Sequence, residues 1–306
     1  MKDVISPVDC TMNAVFIENI SVSDISKIYL DYFGIRVIDY FKNLEYISIY
    51  QCPSTSYRFY YPLNLGGDGF FYSQLQKYAW YYMPWKWEHE QALKYIKPGM
   101  KVLEVGCGFG GFINEVGNRI ANIDIIGLEL NKDVIEKASS EGLTILPEMI
   151  EQHASKYPDT YDIVCSFQVL EHISELNSFI DSNLKAVKIG GYLIIAVPNN
   201  DSFIKYDRER DALNMPPHHM GLWNPKSLKE LANFFPMMIK KQINEPLQEY
   251  HRNWYVNVVE SRIQKMGKIS KIIYRRLRLQ KLLYKFLVLF PSLIDGHTTI
   301  AIYQKR

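Results

Sequence analysis

The run Val102-Leu-Glu-Val-Gly-Cys-Gly-Phe-Gly-Gly111 constrains this chain more than any other stretch. An apolar strand ends there in closely spaced glycines, with a carboxylate, Glu104, two residues before the first of them. Such a turn lets a ligand lie against bare backbone, because Gly106, Gly108 and Gly110 carry no Cβ to hold it away. The helix that follows, from about Gly110 to Arg119, aims its N-terminal amides at the same place. A cofactor is therefore expected at the top of this strand.

Gly106, Gly108 and Gly111 also satisfy the dinucleotide spacing, and alone they do not choose between cofactors. Glu129 closes the next strand, Ile123 to Glu129, about where a doubly wound sheet sets an acid on ribose hydroxyls. Ribose recognition fits NAD and S-adenosylmethionine equally. Glu104 separates them, since a carboxylate under the turn repels a pyrophosphate but holds the ammonium of a methionine moiety.

The order continues through Ile126-Gly-Leu-Glu129, Tyr161-Asp-Ile-Val-Cys-Ser-Phe-Gln-Val-Leu-Glu-His172 and Gly190-Gly-Tyr-Leu-Ile-Ile-Ala-Val-Pro198. Across residues 95 to 305 this series resembles class I S-adenosylmethionine-dependent methyltransferases. The resemblance implies an α/β fold: a Rossmann-like, doubly wound, mostly parallel sheet whose last strand enters antiparallel. It implies a cofactor held by Glu104, Gly106, Cys107, Gly108, Gly110, Glu129 and Leu130, with Gln168 facing the methionine moiety and Glu148 and Met149 near adenine. The segment before the first strand closes over the cofactor in such proteins, which draws attention to Tyr81, Tyr82 and Lys86. The pattern is also similar to methyltransferase-domain proteins of bacterial surface polysaccharide synthesis, making a sugar hydroxyl on a lipid- or nucleotide-linked precursor the expected acceptor. A nicotinamide-dependent oxidoreductase and a non-catalytic cofactor-binding protein are the competing classes.

With 306 residues, 47% of them hydrophobic and 22% charged, the chain can bury a full core. Residues 1–87 read as an N-terminal accessory segment and aromatic cap, and 88–306 as the methyltransferase domain with an insertion at 247–296. In the first part Val15 to Ile17 is strand-like, Ser23 to Phe33 helical, and Leu44 to Tyr50 alternates like an edge strand. Four unpaired cysteines point to a reducing compartment, the cytoplasm, and neither an export signal nor a membrane span is expected. Cys52 has no second cysteine at knuckle spacing, which argues against zinc there.

Residues 57 to 87 hold 13 of the chain's 42 aromatics. Such a density serves either a cap packed on the sheet or a lid that stacks on a sugar or on adenine.

Methyl transfer to a hydroxyl is helped by a general base at the C-terminal edge of the sheet. His218 in Pro216-Pro-His-His219 is the first choice, His219 the second, and His172 after the fourth strand a further candidate. A metal is not expected from His218 and His219, because neighbouring side chains diverge and no third ligand is evident. Asn199 and Asn200 are placed to meet the acceptor.

Between Ser261 and Phe290 stand nine Lys or Arg residues and no acid; removing those nine charges from the formal net of +2 leaves the rest at −7. Interleaved Ile, Leu and Phe predict one or two amphipathic helices, suited to the inner face of an anionic membrane, to a polyanion, or to packing with solvated cations. The modest pI near 8.1 and the absence of an RNA-reading motif argue against nucleic acid.

Overall fold

A computed structural model of the chain describes residues 3–78, 81, 83–207 and 212–306, with 268, 271 and 275 described by backbone alone. It opens with β1 (Val15–Ser21), α1 (Val22–Phe33), β2 (Tyr46–Gln51), β3 (Arg58–Tyr61), α2 (Gly69–Leu75) and α3 (Trp87–Leu93). The glycine-turn half runs β4 (Lys101–Val105), α4 (Gly111–Arg119), β5 (Asp124–Leu128), α5 (Lys132–Ser140), β6 (Ile145–Leu146), α6 (Ile150–Lys156), β7 (Tyr161–Phe167), α7 (Leu176–Ala186) and β8 (Val187–Pro198). After it come β9 (Gly221–Leu222), α8 (Pro225–Glu230), β10 (Met237–Pro246), α9 (Arg252–Lys265), α10 (Lys268–Arg276), α11 (Leu279–Leu289) and β11 (Asp295–Lys305).

Seven strands form the central sheet in the order β10-β11-β8-β7-β4-β5-β6. β8, β7, β4, β5 and β6 run parallel, while β11 enters antiparallel to both β8 and β10, the arrangement expected from the motif order. Alternation along each strand serves a sheet covered on both faces. Leu103, Val164, Leu193 and Ile195 join the core on one side, and Val102, Ile163, Cys165, Ile194 and Ala196 the core on the other. Glu104 shares the parity of Val102 and sits 4% exposed at the strand end. Helix starts follow local chemistry. Asn131 accepts from the amides of Asp133 and Val134 to cap α5, and Asn224 accepts from Ser227 at 2.7 Å ahead of Pro225 in α8.

The N-terminal segment forms a second sheet, ordered β1-β2-β3-β9. β2 is an interior strand and not the edge its alternation implied, because β1 and β3 pair with it on both sides. The fourth strand comes from far along the chain: Arg58 and Phe59 pair with Leu222 and Gly221. Beside that pairing, the ring of Tyr57 lies 4.1 Å from fully buried Trp223. Tyr57, Phe59 and Tyr60 are thereby spent on packing.

The stretch between β10 and β11 holds three helices, of which α10 and α11 are the amphipathic pair expected between Ser261 and Phe290. Gly267 at φ 120° ends α9, and Arg278 in the left-handed region at φ 51° separates α10 from α11. Leu287 of α11 packs with Val256 and Val258 of α9.

Candidate active site

One cavity of 830 Å³ opens at the C-terminal edge of the central sheet, where ligands of open α/β sheets bind. Its floor is the turn after β4. Gly106, Gly108 and Gly110 all have positive φ, which a side chain resists. A Cβ on Gly106 would stand 2.5 Å from Val169 Cγ2, and one on Gly111 2.5 Å from the backbone oxygen of Pro84. These glycines thus let the turn and the start of α4 pack directly against Val169 and Pro84, shaping a cradle at the cavity floor.

Glu104 lines this cradle, and its Oε2 is buried without a hydrogen-bond partner. Burial, then the charge of Glu129, push its pKa well above the usual value, with Lys86 opposing. An unpaired buried carboxyl oxygen costs about 1–3 kcal/mol, which an incoming ammonium removes. A buried acid over an open glycine cradle is what the methionine end of S-adenosylmethionine requires, and the residues fit it. Cys107, Gln168 and Lys86 line the same cavity. Gln168, itself at φ 55°, donates from Nε2 to Glu88 at 3.2 Å and to Thr298 at 3.3 Å.

Other expected cofactor residues stand elsewhere. The carboxylate of Glu129 is turned onto backbone amides, accepting from Gly108 at 3.0 Å, Leu130 at 2.8 Å and Asn131 at 3.0 Å. It braces the glycine turn and does not line the cavity. Leu130 and Met149 point outward, and Glu148 is drawn away by Lys156 at 2.6 Å and His153 at 2.9 Å. Tyr82 lies outside the described residues.

The opposite wall holds the histidines. His172 follows β7 in a single helical turn, and His218 and His219 precede β9. Contrary to the expected divergence of neighbours, the rings of His218 and His219 stack at 4.5 Å and 23°. His172 stands edge-on to both, at 4.6 and 4.8 Å. All three are uncharged. Burial brings His172 down to about 4 against the carbonyls of His218 and Gln168, and burial followed by neighbouring imidazoles drives His218 and His219 well below the usual range. Glu171, 1% exposed beside them, is pushed by burial up to about 8.

Six of the seven histidines line this one cavity, including His89, His251 and His297, which the sequence reading passed over. They lie far apart in the chain and meet only through topology. One signal was available for His297: an antiparallel last strand begins at the edge where the parallel strands end. Tyr81 lines the cavity too, with its hydroxyl 2.8 Å from His218 Nε2. Asn200 instead serves the loop, its Oδ1 accepting from Asn214 at 2.6 Å.

A ubiquinone biosynthesis O-methyltransferase of Proteus mirabilis (strain HI4320) is 35% identical over 109 residues, 34% of this chain and 44% of that protein. Its counterpart in Aliivibrio fischeri (strain ATCC 700601 / ES114) is likewise 35% identical, over 34% of this chain and 46% of its own length. The chain thus spans under half the length of these relatives. A solved S-adenosylmethionine-dependent methyltransferase from Archaeoglobus fulgidus superposes with a TM-score of 0.48 and 18% identity, covering 71% of this chain and 90% of that one. Residues 80–235, just over half of the chain, match the family model described as "Methyltransferase domain". A match of that extent places the chain in the methyltransferase-domain family.

Proposed function

We propose that the protein transfers a methyl group to a hydroxyl of a small amphiphilic acceptor, a lipid-linked sugar being the case the sequence pattern favours. The observation that carries this reading is the facing arrangement of two walls in one cavity: the glycine cradle with Glu104, and the His172, His218, His219 and Glu171 cluster. S-adenosylmethionine supplies an electrophilic methyl on a sulfonium. The chain holds donor and acceptor in line and keeps water out, which is most of what such a displacement needs. A bound S-adenosylmethionine would supply the methyl carbon, its sulfur keeping the electron pair of the carbon–sulfur bond, and the acceptor hydroxyl would give its proton to the unprotonated ring nitrogen of His172, His218 or His219. A hydroxyl gains most from such a cluster, because its own acidity is low. That the similar proteins of Proteus mirabilis and Aliivibrio fischeri are O-methyltransferases supports an oxygen acceptor.

The amphiphilic character rests on α10 and α11. Ile269 is 75% and Leu289 70% exposed, and Ile272, Leu277, Leu282 and Phe290 also stand in solvent beside exposed Arg276, Arg278, Lys281 and Lys285. Apolar side chains among cations on a surface helix suit the headgroup region of an anionic bilayer. Among the described residues no helix is long and apolar enough to cross a membrane.

The test is incubation of the whole protein with methyl-tritiated S-adenosylmethionine and bacterial lipid extract. Label is expected in an alkali-stable ether of the organic phase. Label on nitrogen, or none while S-adenosylhomocysteine still binds, overturns the reading.

A further inference from the structure

We propose that His172, His218 and His219, with Glu171 beside them, form a binding site for one divalent transition-metal ion, of which Zn²⁺ is the probe. One ring nitrogen from each of the three histidines lies within 4.8 Å of the others. An ion centred in a triangle of that size stands about 2.8 Å from each, so small side-chain rotations bring three imidazoles to the ligand distance of about 2.1 Å.

The hydrogen bonds say which nitrogen each ring offers. Nδ1 of His172 is 2.6 Å from the carbonyl oxygen of His218, Nδ1 of His218 2.8 Å from that of Leu213, and Nδ1 of His219 3.2 Å from the side-chain oxygen of Asn214. Carbonyl oxygens only accept, so all three rings carry their proton on Nδ1 and leave Nε2 as a lone pair. Metal-bound histidines are oriented by this same outer contact.

Glu171 completes the set. Its Oε1 lies 3.9 Å from Nε2 of His219, and its Oε2 is buried with no hydrogen-bond partner. A cation gives that oxygen the partner it lacks. Tyr81 holds Nε2 of His218 at 2.8 Å, so its hydroxyl is displaced to the outer sphere when the site fills. Imidazole ligands select Zn²⁺, Co²⁺, Ni²⁺ or Cu²⁺ over Mg²⁺. Binding stands on the chain's own residues; that the ion assists the acceptor hydroxyl as a Lewis acid rests on the proposed function.

The full-length protein, stripped with dipicolinate, is dialysed against Zn²⁺ and against Co²⁺. One equivalent of Zn²⁺ and a visible Co²⁺ spectrum of nitrogen ligation are expected. His172→Ala, His218→Ala and His219→Ala should each weaken binding at least about tenfold, and His251→Ala should not. S-adenosylhomocysteine affinity, measured on every variant, reports folding; where an alanine variant loses it, the corresponding His→Asn variant replaces it. Wild-type protein that binds S-adenosylhomocysteine but takes up no Zn²⁺, or Zn²⁺ uptake indifferent to all three substitutions, overturns the site and leaves the methyl-transfer reading intact. Zn²⁺ bound as described with no methyl transfer to any hydroxyl overturns that reading and leaves the site standing.

Discussion

The hydroxyl of Tyr81 donates to Nε2 of His218 across 2.8 Å, because Nδ1 of the same ring is committed to the carbonyl of Leu213. A residue from the segment before β4 therefore covers the lone pair that the histidine cluster would present to an ion or an acceptor. Tyr81→Phe uncovers it. Zn²⁺ affinity should rise about fivefold, the worth of one hydrogen bond of about 1 kcal/mol, with S-adenosylhomocysteine affinity unchanged. Isothermal titration of both ligands checks this, and equal Zn²⁺ affinity in variant and wild type contradicts it.

Glu104→Gln keeps the shape of the side chain and removes its charge. S-adenosylhomocysteine should bind about 10- to 100-fold more weakly, matching the loss of a charge-assisted bond. The pH dependence has a definite sign. Glu104 is held protonated above its ordinary range, so wild-type affinity rises with pH as it ionises, and the Gln variant shows a flatter profile. Titrations at several pH values distinguish the two.

Acid should destabilise the protein. His89 and His297 are lowered to about 3, His172 and His251 to about 4, and burial holds His218 and His219 well below their usual range. The unfolded chain binds these protons near the ordinary value of about 6.5, so their stability is complete above it and drains away as pH falls toward 4. Glu171 at about 8, Glu245 at about 7 and Glu104 work the other way, but six histidines outnumber three acids. Each uncompensated proton taken up on unfolding costs about 1.4 kcal/mol per pH unit. Melting temperature should peak near neutrality and drop steeply below pH 6, as scanning fluorimetry across buffers will show; a flat profile would mean that the histidines are charged in the folded state.

Trp223→Ala removes a fully buried ring packed at a tilt against Tyr57 and donating from Nε1 to the carbonyl of Leu170. A loss of about 3–5 kcal/mol is expected from denaturant unfolding. A loss below 1 kcal/mol would show that the two sheets do not depend on this contact.

Leu282→Glu with Leu289→Glu places acids among the exposed apolar residues of α11. Sedimentation with phosphatidylglycerol vesicles should fall to the level seen with neutral vesicles, while S-adenosylhomocysteine affinity stays the same. Undiminished sedimentation would assign the exposed face of α11 no part in lipid contact.

Local patterns carried the sheet. β4 and β7 occupy the stretches their apolar runs predict, and Asn224-Pro225 announces α8, because a strand end or a cap is decided by a few adjacent residues. What local pattern cannot hold is convergence. His89, His251 and His297 share a cavity with His172 only because α3, the helical turn before α9 and the start of β11 meet at one sheet edge. The Glu129 carboxylate is legible as an acid at the right place, but its capture by three amides depends on how the β5 turn meets the glycine turn. Glu148 went astray for a similar reason: Lys156 and His153, one or two helical turns on, supply nearer partners than any cofactor. β9, two residues long, has no periodicity to read.

That short strand also bears on how the chain is made. β3 pairs with residues about 160 positions downstream, a closure that waits until most of the polypeptide has left the ribosome. Until then the nascent N-terminal sheet carries a bare edge with Phe59 and Tyr60 beside it, the kind of surface that chaperones shield and that neighbouring chains seize.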